Sequence, residues 1–327
     1  MNENAQFKWG LVGYGDLSER RIAPALRDNS KSTLTGVWGR QFSRTNDFAQ
    51  RHQIPGAYES LDELLKSGID GLYICTPTAS HFEYAMAALQ QGIHIIIDKP
   101  MAASVEECAQ LVQAADDNKV KLAVAFYLRF HPKMQKVKQL INEGALGKIT
   151  WVNIVCNGWY NPGEDDPKFW RVCKSTSGGG GALSDIGVHR LDLLDYWLGS
   201  AKFEWSSLQH FVHSYEVEDG SSAVLRLPGG APVHTYFAWN SKAGMDRFEI
   251  VGSEGKVLLE PLTSPELIMI RGGEKEILKF DIPENPYINM AEDFVDSVRE
   301  NRPPFCDGCS GMRTSTLVEE ILVNATQ

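Results

Sequence analysis

Long apolar runs are missing from this chain. No stretch approaches the roughly 20 residues that a membrane-spanning helix needs, so no membrane partner is expected. Basic clusters are missing as well: 32 Lys and Arg stand against 42 Asp and Glu, for a formal net charge of −10. That balance offers neither a footprint for nucleic acid nor an attachment to anionic lipid. Cysteine is sparse. The six in 327 residues (Cys75, Cys108, Cys156, Cys173, Cys306 and Cys309) are too scattered to form a disulfide framework. Cys306-Asp307-Gly308-Cys309 is a lone CxxC with no second Cys or His pair, so no metal site is expected. Residues Met1 to Gln6 lack the basic region and apolar core of a signal peptide, which makes the cytoplasm the expected compartment.

What is present is ordinary for a globular protein: 43% apolar and 23% charged residues. A length of 327 exceeds what one core usually organises, so two domains are expected. The first part alternates strand and helix signals. Strands are expected at 7–12, 34–38, 71–75, 93–97 and 121–125, within a six-strand alternation of which one member is not located. Helices are expected from the Gly13–Gly15 turn to about Leu26, kinked or restarted at Pro24, and over 44–52, 80–91 and 104–118. Ser60-Leu61-Asp62-Glu63 and Ser104-Val105-Glu106-Glu107 read as capping boxes. Strands joined by helical crossovers predict a doubly wound parallel sheet.

The pattern changes after Phe126. A helix is expected over 132–143, a long strand over 149–157, and a helix from about Leu183 to Leu198 after the run Gly178–Gly181. Between Phe203 and Asp281 only strand signals appear, at about 221–227, 232–239, 247–251, 255–260, 266–271 and 276–281. They predict an antiparallel sheet with one face covered by helices. Helices over 287–300 and 311–323 finish the chain. The expected boundary lies near Tyr127, dividing the chain into 1–127 and 128–327.

Three constellations carry the chemistry. In the first, Gly13-Tyr14-Gly15-Asp16-Leu17 joins the first strand to the first helix. Gly13 permits the tight turn and Gly15 lets backbone approach a pyrophosphate at the helix start, the pattern of a dinucleotide site. The second strand ends without a carboxylate, whereas Arg40 and Arg44 are available to a 2′-phosphate, so NADP is favoured and NAD remains possible. Cys75-Thr76-Pro77-Thr78 follows another buried strand and is expected to line the same cofactor; His81 beyond it reads equally as a ligand contact and as a cap or packing residue.

The second constellation is Asp98-Lys99-Pro100, at the carboxyl end of the aliphatic strand Ile93-His94-Ile95-Ile96-Ile97. A Lys there cannot lie within the apolar layer, and strand ends of this kind are where open α/β sheets bind ligands. In the third, Asp185, His189 and Asp192 share one helical face. Read alone, this is an amphipathic helix with a solvated polar face. Read with the glycines before it, Asp185 and His189 form a candidate carboxylate–imidazole acid/base pair.

These pieces together resemble the glucose–fructose oxidoreductase / inositol dehydrogenase (Gfo/Idh/MocA) family. The likeness runs through Gly10 to Ser18; Thr76, Pro77 and His81; Asp98-Lys99-Pro100; Phe126, Arg129, Phe130 and Pro132; Trp170-Arg171; Gly179 to Asp185 with His189 and Asp192; and Asn285-Pro286-Tyr287. It implies a Rossmann domain followed by an α/β domain with a large, open, mostly antiparallel sheet. It implies hydride transfer between a nicotinamide and a sugar, polyol or cyclic diol. The catalytic Lys falls on Lys99, and the Asp and His of the second domain fall on Asp185 and His189. Arg129 and Trp170 join the expected cofactor contacts, and Tyr127, Tyr160 and Arg171 join Lys99, Asp185 and His189 around the substrate. The chain departs from the family pattern at Asp98, where Glu is usual, and at Thr78, where Asn is frequent. The expected activity is an NAD(P)-dependent dehydrogenase or reductase, and the expected assembly is a homodimer or homotetramer through the second sheet. A nucleotide-binding sugar sensor without turnover and an NAD-dependent glycosidase of the same family are the alternatives.

Overall fold

The computed structural model describes residues 6–326. Its contacts group the chain into two compact units. The first holds the residues up to Tyr127 together with Asn285–Met312, and the second holds Leu128–Glu284 together with the residues from Arg313 on.

The first unit is built on six parallel strands: β1 (Phe7–Val12), β2 (Ser32–Trp38), β3 (Gly56–Tyr58), β4 (Gly71–Ile74), β5 (His94–Ile97) and β6 (Leu122–Val124). Their order is β3-β2-β1-β4-β5-β6. This is the doubly wound arrangement, whose chain reverses direction of winding between β1 and β4. The strands are aliphatic because both faces are covered: Leu11, Val12, Leu72, Ile74, Ile95, Ile96 and Ile97 are fully buried. β3 is the strand that periodicity does not locate. It has three half-buried residues and no apolar run to betray it.

The first helix is restarted at Pro24, and the turn before the restart is not α-helical. Residues Ser18–Ile22 form a π turn, with the Ala23 N–H bonded to the Ser18 carbonyl, and an α-helix follows over Ala23–Arg27. Pro24 thus stands at the opening of the α-helical stretch, where its missing N–H costs least. The helix Pro286–Arg299 also packs in this unit, and Phe294 on it meets Trp9 and Phe7 at ring-centroid separations of 5.4 and 6.4 Å. A boundary drawn once at Tyr127 leaves this returning segment out. Its contacts are to residues nearly three hundred positions earlier, which sequence periodicity does not register.

The second unit is an eight-stranded sheet. Its members are β7 (Ile149–Trp159), β8 (Lys202–Gln209), β9 (Gly220–Arg226), β10 (Pro232–Ala238), β11 (Asn240–Gly252), β12 (Gly255–Leu259), β13 (Glu266–Arg271) and β14 (Glu274–Lys279), in the order β14-β13-β12-β11-β7-β10-β9-β8. All pairs are antiparallel except β10 with β7. One face is core, with Val152, Ile154, Phe237, Phe248, Ile250, Val257 and Leu259 buried. The opposite face carries the row Trp205, Val224, His234, Asn153, Glu249, Leu258, Ile268 and Ile277, each paired in register with the next. Among the described residues no helix is long and apolar enough to cross a membrane.

Candidate active site

The candidate residues fall into two groups, one in each unit. In the first unit they gather at the carboxyl ends of β1, β2, β4 and β5, which parallel pairing places on one edge. Gly13 has φ +101°, and a Cβ there would strike the Cys75 carbonyl, so only glycine fits this turn. Gly15 is exposed, and a Cβ there would meet nothing within 4 Å. The start of the helix is therefore open backbone, the cradle that a pyrophosphate needs. The Tyr14 ring lies against Gly39, filling the space that a side chain at the end of β2 would take. Arg44 stands over the Tyr14 ring at 5.0 Å. Tyr14, Arg44, Asp47 and Arg51 line a cleft of about 220 Å³. Arg51 is held by Glu19 (2.9 Å), Asp16 pairs with Arg20 (2.8 Å), and Arg40 is exposed.

His81 sits between the loops after β4 and β5, with one ring N–H to donate and a carbonyl facing each ring nitrogen. Its fully buried ring sets Nδ1 at 2.9 Å from the Pro100 carbonyl and Nε2 at 2.8 Å from the Thr76 carbonyl. Desolvation pulls the imidazole below its usual range, although the nearby Asp98 charge opposes this. His81 thus acts on the two loops through their backbone. Thr78 is buried at the start of a short 3₁₀ turn, Thr78–Ser80, and the Thr76 hydroxyl accepts from Ser80 (2.8 Å). Burial pushes the Cys75 thiol far up, so it offers no thiolate. Asp98 and Lys99 are half-buried at the end of β5, the Asp98 N–H donates to the Ile74 carbonyl (2.9 Å), and the Lys99–Pro100 peptide is cis. The Tyr127 ring lies 4.7 Å from that of Tyr287.

In the second unit Leu183–Gly187 forms another π turn, with the Val188 N–H bonded to the Leu183 carbonyl, and runs directly into the α-helix Val188–Leu198. Such turns recur at functional sites. Asp185 and His189 are half-buried on it. The Arg171 guanidinium donates to Asp185 Oδ2 (3.0 Å) and lies over the Trp170 ring at 5.6 Å. Tyr160 donates to the Lys168 carbonyl (2.9 Å) and packs on Trp239, with ring centroids 4.8 Å apart. Desolvation raises Tyr160 to about 12, with Arg171 and Asp185 among the charges acting on it.

The solvated-face reading of this helix does not hold for Asp192. That carboxylate is 1% exposed and takes two hydrogen bonds from Arg129, at 2.5 and 3.0 Å. The partner arrives from 63 residues earlier in the chain, which the periodicity of the helix itself does not register. Arg129, which sequence reasoning assigned to the cofactor, is itself buried in this pair and lies over the Tyr196 ring at 5.3 Å. Glu218 belongs to none of the sequence motifs. It is a buried carboxylate bonded to the start of the Asp185 helix, and its one sequence signal is the acidic pair Glu218-Asp219 directly before a strand. Among the described residues no group of three or more His, Cys, Asp or Glu is placed to hold a metal ion.

Comparison with known proteins fits both units. Residues 7–126 match the oxidoreductase family with an NAD-binding Rossmann fold, and residues 134–258 match the GFO/IDH/MocA C-terminal domain. The chain belongs to the GFO/IDH/MocA family of oxidoreductases. An oxidoreductase of Formosa agariphila is 29% identical over 297 residues, covering 89% of this chain and 90% of that protein. A trans-1,2-dihydrobenzene-1,2-diol dehydrogenase of Macaca fuscata fuscata is 28% identical, covering 85% of this chain and 82% of its own length. The solved structure of a levoglucosan dehydrogenase in complex with NADH and levoglucosan shares the fold, with a TM-score of 0.89, 22% identity and coverage of 98% and 97% of the two chains. The protein is thus an oxidoreductase of the dehydrogenase/reductase type with an NAD(P)-binding Rossmann unit.

Proposed function

We propose that this protein transfers a hydride between a nicotinamide dinucleotide, NADP in preference to NAD, and a CH–OH carbon of a sugar, polyol or cyclic diol. One observation carries the reading: the Gly13–Gly15 cradle and Lys99 stand on the same edge of one parallel sheet. The open backbone at Gly15 fits a pyrophosphate, with Thr76, Pro77 and Asp98 as further contacts. When bound, the dinucleotide supplies the hydride acceptor or donor. Tyr14, Arg40 and Arg44 favour a 2′-phosphate, because a carboxylate side chain at position 39 would collide with the Tyr14 ring. Trp170 and Arg129 belong to the proposed cofactor contacts only through the family likeness, and the Arg129–Asp192 pair gives Arg129 a packing role of its own.

The chemistry left to the side chains is proton transfer and orientation. In oxidation Lys99 or His189 takes the hydroxyl proton, with Asp185 orienting the imidazole. In reduction protonated Lys99 polarises the carbonyl oxygen. Arg171 holds Asp185, and with Tyr127 and Tyr160 it shapes the substrate's surroundings. The names of the relatives, a dihydrodiol dehydrogenase and a levoglucosan dehydrogenase, support a cyclic polyhydroxy substrate. We also assign the open face of the eight-stranded sheet to self-association, since Trp205 and Ile277 on it are 44% and 45% exposed.

Replacing Lys99 by Ala tests the reading. With NADP and a panel of sugars, polyols and cyclic diols, followed by nicotinamide absorbance, kcat should fall about 10²–10⁴-fold. The nucleotide Kd should stay near that of the parent. Full turnover in the variant would remove Lys99 from the mechanism, and nucleotide binding without turnover on any substrate would remove the activity.

A further inference from the structure

Glu218 lies just before β9, is 2% exposed, and touches the helix that carries Asp185 and His189. Both of its carboxylate oxygens accept the Gly181 N–H at 2.8 Å, and Oε1 also accepts the Leu183 N–H at 3.0 Å. These amides open the helical run Leu183–Leu198, where the first N–H groups have no partner within the helix. A helix of this kind is ordinarily capped by a short polar side chain of its own. Here Ala182 holds that position, no side chain of the helix supplies a cap, and the acceptor arrives from 35 and 37 residues away. Gly181 is needed for the approach, because a Cβ there would collide with the Glu218 carbonyl oxygen and crowd Val217. The other side of the junction is anchored too: Asp219 accepts the N–H groups of Val212 (2.7 Å) and His213 (3.0 Å).

A buried carboxylate is poorly explained as a device for stability, since desolvation opposes it, but it fixes register well. We propose that Glu218 is the positioning residue of the acid/base helix, gripping its first amides so that Asp185 and His189 stand at a fixed height above the sheet of their unit. When the carboxylate is ionised, its place at the positive end of the helix offsets part of the desolvation. This rests on the reading of Asp185 and His189 as the acid/base pair.

The test compares Glu218→Gln and Glu218→Ala with His189→Ala in the full-length protein, using the best substrate from the panel. Glu218→Gln keeps the shape and one acceptor oxygen, whereas Glu218→Ala leaves both amides without an acceptor. The expected result is a graded loss of kcat, about tenfold for Gln and about 10²-fold for Ala, as displacement of reacting groups by around 1 Å would give. The nucleotide Kd, from fluorescence titration, should not change in either variant. The titration stoichiometry also gives the folded fraction, so turnover is counted per folded molecule. If Glu218→Ala does not fold, the Gln variant alone decides. Should His189→Ala lose turnover while the folded Glu218 variants keep the parent kcat, the positioning role is overturned. Full turnover in His189→Ala instead defeats the acid/base reading itself, whatever the Glu218 variants do.

Discussion

On the proposal that NADP is preferred, the contact of Tyr14 with Gly39 at the end of β2 bears on cofactor choice. An NAD-type site would place a carboxylate there, but the Tyr14 ring occupies the space next to the Gly39 backbone, and Arg44 covers that ring. The cleft alongside contains one carboxylate, Asp47, among the cationic and aromatic groups that line it. If Arg44 meets a 2′-phosphate, Arg44→Ala should raise the KM for NADP about tenfold, the equivalent of about 1.4 kcal/mol, and leave the KM for NAD unchanged. Equal effects on the two cofactors in steady-state kinetics would mean that Arg44 does not read the phosphate. His81 makes a different point at the same scale. The residue type and place leave a ligand contact and a packing role equally open, and its ring nitrogens face the Thr76 and Pro100 carbonyls, a pairing that needs both loops in place before it exists.

The two π turns are the telling features at the level of elements. Each opens the helix that follows a glycine-containing segment, where hydrophobic periodicity predicts plain α-helix. The difference is one backbone hydrogen bond, Ala23 to Ser18 or Val188 to Leu183, and hydrophobic periodicity does not resolve a single residue of phase. The buried Glu218 gives the second of these helices a pH signature. Burial raises its carboxyl from the usual 4.5 to about 7, against the pull of the Gly181 and Leu183 amides. Between those values the folded protein holds a proton that the unfolded chain has released. Stability contributed by this group is therefore full below pH 4.5 and lost as pH rises to about 7, by roughly 3 kcal/mol at most. Glu218→Gln has no such proton. Urea unfolding at pH 5 and pH 8 should show the parent losing more stability than the variant over that interval, and equal losses would place the Glu218 pKa near its ordinary value.

On the scale of the whole chain, the eight-stranded sheet raises the question of what covers its second face. The row from Trp205 through Val224, Leu258 and Ile268 to Ile277 is largely apolar, interrupted by His234, Asn153 and the buried Glu249. Glu249 is held there by Arg247 (2.9 Å) and Lys256 (2.7 Å). If copies of the chain cover one another through this face, light scattering after size exclusion should give a multiple of the 36.4 kDa chain mass. Ile268→Glu, which places a charge in the row, should shift the mass to that of one chain. A parent that runs as a single chain would end the self-association proposal.

The sequence by itself determined the parallel-sheet unit, the glycine cradle, the Lys at the end of β5 and the family. Each rests on short-range pattern: aliphatic runs for strands buried on both faces, glycine where φ is positive or backbone must be approached, and motif order along the chain. The tertiary structure decided what depends on residues far apart. It returned the segment Asn285–Met312 to the first unit and placed the short strand β3 at the sheet edge. It turned the expected solvated Asp192 into half of a buried pair with Arg129, 63 residues away, and brought Glu218 to the start of the Asp185 helix. A buried charge can exist only when its partner arrives with it, and neither side chain alone announces where the other is.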